Sequence, residues 1–167
     1  TSLWKKTVPI RKSQKTQNRG KQIIETGNPI IDAILSEKIH TARERGITVK
    51  DEIFISQGIE IDSLDGCILF GNIMDNAIEA CAKIPSEEER KIRIKMTSKA
   101  DMLICRFTNT VHKEILIDKN LKTTKDNAEM HGIGVKNIKK SVEKYGGTVS
   151  FEKKEGEFEV SFVLFGV

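Results

Sequence analysis

The sequence has few of the residues that mark several common functional classes. Aromatic residues make up 5% of its 167 residues, which leaves little for the base-stacking surfaces of nucleic-acid-binding domains. The three cysteines, Cys67, Cys81 and Cys105, contain no C-x-x-C pair, and the three histidines have no metal-ligand spacing. No apolar run approaches the roughly 18 residues that a membrane-spanning helix needs. These absences argue against a disulfide framework, a zinc site and direct nucleic-acid binding.

Several familiar catalytic and phosphate-binding motifs are also missing. The Walker A pattern G-x-x-x-x-G-K-[ST] does not occur, and a G-x-G-x-x-G motif starting at Gly132 fails because position 137 is Asn137. The nucleophile elbow G-x-S-x-G and the zinc motif H-E-x-x-H are absent as well. A nucleotide-binding site in this chain therefore needs a different kind of phosphate cradle.

The positive charge of the chain is concentrated near its start. Lys and Arg number 28 against 24 Asp and Glu, but residues 1–24 hold seven of these bases and no acid. Without that arm, 28 − 7 = 21 bases face 24 acids, so the remainder is mildly acidic. A basic arm suits contact with nucleic acid or anionic lipid, yet a solvated linker is the favoured interpretation. A hydrophobic content of 38% is typical of a globular domain.

Hydrophobic periodicity and turn residues predict three helices and five strands. The predicted helices cover about 29–46, 62–83 and 133–145, the first with the N-cap pair Asn28-Pro29. The predicted strands cover 47–56, 91–97, 102–108, 148–153 and 157–165. This order predicts an α+β fold, a two-layer α/β sandwich whose mixed sheet carries the helices on one face.

The second predicted helix carries two stripes of different character. One is apolar, is expected to face the core, and comprises Leu64, Cys67, Ile68, Gly71, Met74, Ile78 and Cys81. The other is polar and comprises Asn72, Asp75, Asn76 and Glu79. Asn and Asp are poor mid-helix residues, and carboxamide oxygens suit a Mg²⁺ ion that also takes phosphate oxygens. A half-exposed polar face with an incidental Asn pair is the alternative interpretation.

A glycine pair marks the start of the third predicted helix. Gly132 and Gly134, in the segment HGIGV, let the backbone approach a ligand, and a helix start attracts phosphate. The long polar loop over 109–131 contains Thr123, Thr124 and Lys125, which offer hydroxyl and ammonium groups to phosphate oxygens. The pattern is typical of a phosphate site beneath a lid, and a plain tight turn with a solvated loop tip is the alternative.

Together these segments resemble the GHKL ATP-binding superfamily. The helix segment 72–80 (NIMDNAIEA) is similar to the N box of that superfamily. The passage 69–81 (LFGNIMDNAIEAC) is especially similar to the catalytic domains of quorum-sensing peptide-receptor sensor histidine kinases, as are 26–33 (TGNPIIDA) and 131–138 (HGIGVKNI). The resemblance covers about residues 26–165. It implies the Bergerat fold, with ATP held between the helical layer and a flexible lid.

The resemblance also implies roles for individual residues. Asn76 matches the family's Mg²⁺ ligand, and Asn72 stands where gyrase-type relatives hold a water-activating Glu. Because a neutral carboxamide cannot accept a proton, slow hydrolysis and phosphoryl transfer are expected. The other nucleotide-binding matches are Thr124 and Lys125 in the lid and His131, Gly132 and Gly134 in the glycine box. Lys125 joins Asn72 and Asn76 as an expected catalytic residue.

One position departs from the family pattern. Most relatives have D-x-G-x-G after the hairpin strand, and its Asp accepts a hydrogen bond from the adenine amino group. Here the corresponding segment is TNTV over 108–111, with neither Asp nor glycine. Asn109 can accept through its amide oxygen, though more weakly than a carboxylate. The peptide-receptor branch also commonly has Asn there, so Asn109 is included among the expected nucleotide-binding residues.

The expected function is that of the catalytic ATP-binding domain of a two-component sensor histidine kinase. Such a domain binds Mg-ATP and transfers the γ-phosphoryl group to a histidine on a dimerisation domain outside this chain. Residues 1–24 would then be a basic linker or the tail of an upstream dimerisation helix, and 25–167 the catalytic domain. His40 lacks the adjacent acid of the usual acceptor box, so it is interpreted as a surface residue.

The same resemblance implies the partners and the cellular setting. The expected partners are ATP, the histidine-bearing dimerisation domain and a downstream response regulator, with no direct contact to nucleic acid. The full-length protein is expected to be a membrane-anchored bacterial homodimer with this domain in the cytoplasm.

Two other functions remain open at this point. An anti-sigma-factor-type serine kinase has the same fold, although the basic arm and the Asn28-Pro29 helix fit that class less well. A degenerate nucleotide-binding module without catalysis is suggested by the altered segment around Asn109.

Overall fold

The computed structural model describes residues 23–56, 58–112 and 132–167, which form three helices and a five-stranded sheet. The helices are α1 (Pro29–Glu44), α2 (Ser63–Ala82) and α3 (Ile133–Lys144). The strands are β1 (Thr48–Phe54), β2 (Lys91–Lys99), β3 (Met102–Thr110), β4 (Thr148–Lys154) and β5 (Glu157–Phe165). The eight elements follow the predicted order, and the α+β class is confirmed.

Side-chain caps fix where the first two helices begin. Asn28 Oδ1 accepts the backbone N–H groups of the residues two and three positions on, at 3.0 and 3.1 Å. Asp62 Oδ1 does the same at the start of α2, at 2.9 and 3.2 Å. Each cap satisfies donors that the first turn of a helix leaves without an internal partner. These starts could be predicted because the capping interactions are local in sequence.

The segment before α1 is fastened to the segment before α2. The Asn28 side-chain amide donates to the backbone oxygen of Ile59 at 2.9 Å. Gly27 has a φ of +79°, and a Cβ added there would lie 2.5 Å from Gly58 Cα. Only glycine accommodates both the positive φ and this close backbone approach. The beginnings of α1 and α2 are therefore held side by side.

The five strands form one mixed sheet in the order β1-β2-β3-β5-β4. Strand β1 pairs with β2 in parallel, with Thr48 opposite Lys91, and α2 makes the connection between them. The other neighbours are antiparallel, and β5 lies between β3 and β4. The predicted mixed sheet is confirmed.

The core lies between the sheet and the three helices. On β2, Ile94 is fully buried, while its neighbours Arg93 and Lys95 form ion pairs on the opposite face of the sheet. Strand residues alternate between the two faces, so the helices cover one face and leave the other polar in this region. The centre of the core is a cluster of three buried rings 6.0–6.3 Å apart, from Phe70, Phe107 and Phe162.

The predicted apolar stripe of α2 is wrong over its first turns. Leu64 is 66% exposed, and Cys67 is exposed as well. The buried face begins instead with Asp65 and Gly66, because Asp65 meets the far end of α3. The apolar residues that α2 buries are Leu69, Phe70, Ile73, Met74, Ala77, Ile78 and Cys81. Within the described ranges, no helix has the length and apolar character to cross a membrane.

Candidate functional site

The polar stripe of α2 lies where the start of α3 approaches that helix. Asn72 is half-buried, and its Nδ2 donates to the backbone oxygen of Ile68 at 2.6 Å, one turn earlier. Its amide nitrogen is therefore used within the helix, and its oxygen faces α3. Asn76, one turn later, is exposed. The predicted pair of carboxamides thus lies on one side of α2, next to the glycine segment at the start of α3.

Gly134 is the residue of α3 that meets both carboxamides. A Cβ built on Gly134 would lie 3.2 Å from Asn72 Oδ1, 3.4 Å from Asn76 Oδ1 and 3.5 Å from Asn76 Nδ2. The first of these distances is tighter than ordinary van der Waals contact, so a larger residue would displace the carboxamides. The absence of a side chain at Gly134 keeps a small space between the helices, bounded by Asn72 Oδ1 and by the side-chain amide of Asn76. The structure therefore brings together Asn72, Asn76 and Gly134 of the predicted site residues.

The first turn of α3 completes one side of this space. Gly132 is the N-cap residue of α3, with extended backbone (φ −65°, ψ −172°), and no described side chain caps this turn. Unpaired N–H groups and the positive end of the helix dipole make such a start favourable for an anion. The carboxamide oxygens of α2 carry partial negative charge and face it across the gap. An anion at α3 and a cation at α2 fit this arrangement together.

The donor set was tested against the chemistry of Mg²⁺. Within the described residues, no cluster of three or more His, Cys, Asp or Glu side chains could hold a metal ion. Mg²⁺ binds through one or two protein oxygens, several waters and the oxygens of a phosphorylated substrate. Two carboxamide oxygens beside a phosphate-binding helix start fit that requirement. A metal held by these two carboxamides would take its other ligands from water and a phosphorylated molecule.

Asp75 belongs to the polar stripe, but its carboxylate forms an ion pair with α1. Its Oδ1 lies 2.8 Å from Lys38 Nζ on α1. The hydrogen bond to Asp75 is the main cause that raises the pKa of Lys38, against a smaller lowering by burial. The ion pair joins α1 to α2 and neutralises the carboxylate next to Asn76. Asp75 is thus a structural member of the stripe.

Asn109 lies at the end of β3, on the face covered by the helices. Its side chain is buried, and its Nδ2 donates to the backbone oxygen of Thr110 at 3.0 Å. The oxygen Oδ1 is left as the acceptor, which is the role expected for this position. Thr110 contacts the thiol of Cys81 on α2, with Sγ 3.6 Å from Oγ1. Cys81 is five residues beyond Asn76, about 7.5 Å along the helix axis, so Asn109 lies towards the next part of the same helix.

The remaining predicted site residues fall outside the described residues. These are Thr124, Lys125 and His131. His40, which was interpreted as a surface residue, has a side chain that is 74% exposed. Its Nε2 lies 3.3 Å from Glu44 Oε1, one turn along α1.

One polar cluster was not predicted from the sequence. Asp65 Oδ2, in the first turn of α2, lies 2.6 Å from Lys144 Nζ and accepts the hydroxyl of Tyr145 at 2.7 Å. The Tyr145 oxygen in turn accepts the backbone N–H of Asp62 at 3.0 Å. Asp65 is 79 residues from Lys144, so no local pattern connects them. Acidic residues are also common in the first turn of a helix, where they interact favourably with the helix dipole, so Asp65 alone does not indicate a contact with α3.

The protonation of this cluster follows from its contacts. The hydrogen bonds from Lys144 and then Tyr145 lower the pKa of Asp65 below its usual value, against a smaller effect of burial. The hydrogen bond to Asp65 raises the pKa of Lys144. Burial, and then the hydrogen bond to Asp65, raises the pKa of Tyr145. The cluster is therefore an ionised carboxylate held by an ammonium group and a neutral phenol at neutral pH.

Comparisons with known proteins agree with the observed fold. The family model described as GHKL domain matches residues 61–165, which include α2, α3 and all strands except β1. Among solved structures, the catalytic domain of histidine kinase ThkA superposes with a TM-score of 0.60 at 19% identity, over 82% of this chain and 90% of that one. Histidine kinase AdeS of Acinetobacter baumannii superposes with a TM-score of 0.55 at 12% identity, over 80% of this chain and 64% of that one. A search of curated protein sequences finds no match.

Proposed function

This chain belongs to the GHKL domain family, and on that premise we propose that it is the catalytic ATP-binding domain of a two-component sensor histidine kinase. In this proposal the domain binds Mg-ATP and transfers the γ-phosphoryl group to a histidine of a dimerisation domain outside this chain. The likeness to histidine kinase catalytic domains over about four fifths of the chain supports a kinase over other members of the family.

The observation that carries the proposal is the approach of Gly134 to Asn72 and Asn76. Three residues from two separate motifs, 134 − 76 = 58 positions apart at their closest, bound one small space with amide groups on one side. A helix start with unpaired N–H groups lies on the other side. Such a space has groups for both halves of a metal-bound triphosphate, the cation and the anion.

Different site residues would bind the metal, the phosphates and the adenine ring. The oxygen of Asn76 would hold Mg²⁺, which when bound neutralises charge on the β- and γ-phosphates. Gly132 and Gly134 would let the backbone of α3 approach the phosphate oxygens, and Asn109 Oδ1 would accept a hydrogen bond from the adenine amino group. Thr124, Lys125 and His131, which lie outside the described residues, would contribute hydrogen bonds and charge to phosphate binding.

The chemistry needs little from the protein beyond position and charge. The neutral imidazole of the acceptor histidine already carries a nucleophilic lone pair, so no general base is required. A nitrogen–phosphorus bond forms while the bond between the γ-phosphorus and the bridging oxygen breaks, and ADP leaves. Asn72 supports this outcome because a carboxamide cannot activate water, which preserves the phosphoryl group for transfer.

Nucleotide binding is the first test. A non-hydrolysable ATP analogue is titrated into the wild-type chain, Asn76→Ala and Cys67→Ala, each with and without Mg²⁺, by isothermal calorimetry. Cys67 is an exposed residue of the same helix, so its substitution is a matched control. We expect Mg²⁺-dependent binding by the wild type and by Cys67→Ala, and at least tenfold weaker binding by Asn76→Ala. Absence of Mg²⁺-dependent binding by the wild type would remove the proposal.

Transfer is the second test and separates the related functions. The chain is mixed with a histidine-bearing dimerisation domain and γ-labelled ATP, and the product is treated with acid and with alkali. We expect a label that is lost in acid and kept in alkali, because a phosphorus–nitrogen bond is acid-labile. An acid-stable label would instead indicate a serine kinase, and binding without labelling would indicate a module without catalysis.

The wider setting belongs to the same proposal. The phosphorylated histidine would pass its phosphoryl group to a response regulator. The full-length protein would be a membrane-anchored homodimer, with this domain in the cytoplasm.

A further inference from the structure

Helices α2 and α3 touch at two places that are far apart along both helices. At one place Asp65 of α2 meets Lys144 at the end of α3. At the other place Asn76 of α2 meets Gly134 at the start of α3. The separations are 76 − 65 = 11 residues on α2 and 144 − 134 = 10 residues on α3, about 15 Å along either axis. The helices therefore run antiparallel, with a polar contact at one end and the candidate site at the other.

We propose that Asp65 is a positioning residue for the nucleotide site. With Lys144 and Tyr145 it forms a cluster, here called the α2–α3 clamp, that fixes the position of α3 along α2. The clamp thereby sets the distance between Gly134 and the carboxamides at the opposite end of the helix pair. This inference rests on the proposed function for its effect on nucleotide binding, while its effect on Gly134 does not depend on a nucleotide.

The contacts of the clamp are directional, and its carboxylate is buried while its ammonium group is exposed. Asp65 is 8% exposed and the Lys144 side chain is 59% exposed, and a single oxygen, Oδ2, receives both donors at 2.6 and 2.7 Å. The Tyr145 hydroxyl also accepts the Asp62 N–H, so it is fixed from two directions. A shift of α3 of about 1 Å would stretch these hydrogen bonds beyond useful length. Charge-assisted hydrogen bonds are stronger than neutral ones, but solvent around Lys144 screens its ion pair, so the bond from Tyr145 shares the positioning role.

The packing between the two contacts does not fix the position of α3 in the same way. The middle of α3 is held on the core by Ile138 and Val142, both fully buried. Interdigitated apolar side chains set an approximate register, whereas hydrogen bonds respond more sharply to a small slide or rotation because they depend on distance and angle. The polar contacts at the end of α3 therefore refine its register on α2, beside the backbone hydrogen bond from Phe165 N–H to the Tyr145 carbonyl oxygen.

The candidate site is sensitive to that register. The approach at Gly134 is close, since a Cβ built there would lie 3.2 Å from Asn72 Oδ1, and movement of α3 along or away from α2 would change the gap that bounds the ligand. A displacement of about 1 Å at a reacting site can lower the reaction rate on the order of a hundredfold. Loss of the clamp should thus weaken nucleotide binding without removing any group that touches the nucleotide.

The test uses Lys144→Met and Tyr145→Phe, with Lys140→Met as a matched control on the exposed side of α3. Three quantities are measured: the Kd for a non-hydrolysable ATP analogue with Mg²⁺, the amide NMR signal of Gly134 without nucleotide, and the unfolding midpoint. We expect both clamp variants to shift the Gly134 signal and to raise the Kd about tenfold. We expect Lys140→Met to change neither quantity, and Lys144→Arg to keep a Kd within twofold of the wild type.

A purely structural role would give a different pattern. If the clamp variants lower the unfolding midpoint but leave the Gly134 signal in place at a temperature where they are folded, the positioning role is wrong. The Asp65→Asn variant repeats the test with the carboxylate itself, and Tyr145→Phe keeps the ring in place if Asp65→Asn fails to fold.

The failure of this inference and the failure of the proposed function are distinguishable. If the wild type binds nucleotide and Asn76→Ala does not, unchanged binding by the clamp variants overturns only the positioning role. If the wild type binds no nucleotide, the proposed function fails, and the Gly134 signal still decides whether the clamp positions α3.

Discussion

Lys38 on α1 and Asp75 on α2 form an ion pair with 2.8 Å between Nζ and Oδ1, immediately beside Asn76 in the chain. The pair compensates the charge of the carboxylate that is adjacent to Asn76 in the chain. Glu79, one turn further along the polar stripe, is exposed. The ion pair also gives α1 a direct part in shaping the site, because α1 contributes the cation.

The first prediction concerns the close approach at Gly134. The change Gly134→Ala places a methyl group 3.2 Å from Asn72 Oδ1, so the carboxamides or α3 must move. We expect about tenfold weaker binding of Mg²⁺ with an ATP analogue, because overpacking of this kind costs on the order of 1–3 kcal/mol. Calorimetric titration measures the change.

The matched control for this prediction is Gly71→Ala on α2. A Cβ at Gly71 meets no heavy atom within 4 Å, and alanine is a better helix former by about 1 kcal/mol. We expect Gly71→Ala to bind nucleotide normally and to unfold at an equal or higher temperature. Equal nucleotide binding by Gly134→Ala and Gly71→Ala would show that the space at Gly134 is not used.

The second prediction concerns Asn109, where most relatives have Asp. In Asn109→Asp the donor to the Thr110 backbone oxygen is lost, and a carboxylate oxygen faces a carbonyl oxygen at a buried position. We expect a loss of about 2 kcal/mol in unfolding free energy at pH 7, measured by urea titration.

The pH dependence of this variant has a defined sign. Burial and the facing carbonyl raise the folded-state pKa of the introduced carboxyl group above its unfolded value of about 3.9. The protonated group can donate to Thr110, so the loss should be smallest near pH 4 and should grow as the pH rises through the folded pKa. A loss that is the same at pH 4.5 and pH 7 would contradict this account.

The third prediction concerns acid unfolding and Asp65. Its pKa is lowered by the hydrogen bonds from Lys144 and Tyr145, so its contribution to stability is fully present above the unfolded pKa of about 3.9. That contribution is lost as the pH falls through the lower folded pKa. We expect the stability difference between the wild type and Asp65→Asn to be constant from pH 7 to pH 5 and to shrink below pH 4. Urea titrations across this range measure it, and a difference unchanged at pH 3 would speak against the ionised clamp.

The fourth prediction concerns the fastening of α1. The Asn28 side chain caps α1 through two hydrogen bonds and donates a third to Ile59. We expect Asn28→Ala to lower the unfolding free energy by about 2–3 kcal/mol, the cost of a lost cap plus one buried acceptor left without its donor. Thermal or urea unfolding measures the change, and a cost below about 0.5 kcal/mol would show that water replaces these bonds.

Local features of the fold could be predicted from the sequence, and distant pairings could not. The start of α2 follows from Asp62, which acts on residues two and three positions away. The parallel pairing of Thr48 with Lys91 joins strands 43 residues apart, and no periodicity within a strand shows which neighbour it will choose. The exposure of Leu64 was missed for a related reason, because the burial of Asp65 depends on α3.

The candidate site shows the same division. The polar stripe of α2 could be predicted from helical spacing, but the meeting of Asn72 with Gly134 across 62 residues followed from the family resemblance rather than from the pattern itself. Helical spacing alone did not distinguish Asp75 from Asn76 as a candidate ligand-binding residue. The family resemblance singled out Asn76, and the contact with Lys38 shows what the neighbouring Asp75 carboxylate does in the structure.

The position of β5 has a consequence for how the domain is made. This strand follows the other four in sequence, yet it lies between β3 and β4 and pairs with both. During synthesis, one edge of β3 therefore stays unpaired until residues 157–165 have emerged from the ribosome. Chains that stop before Glu157 should expose this edge to one another and aggregate, whereas full-length chains close it within the same molecule.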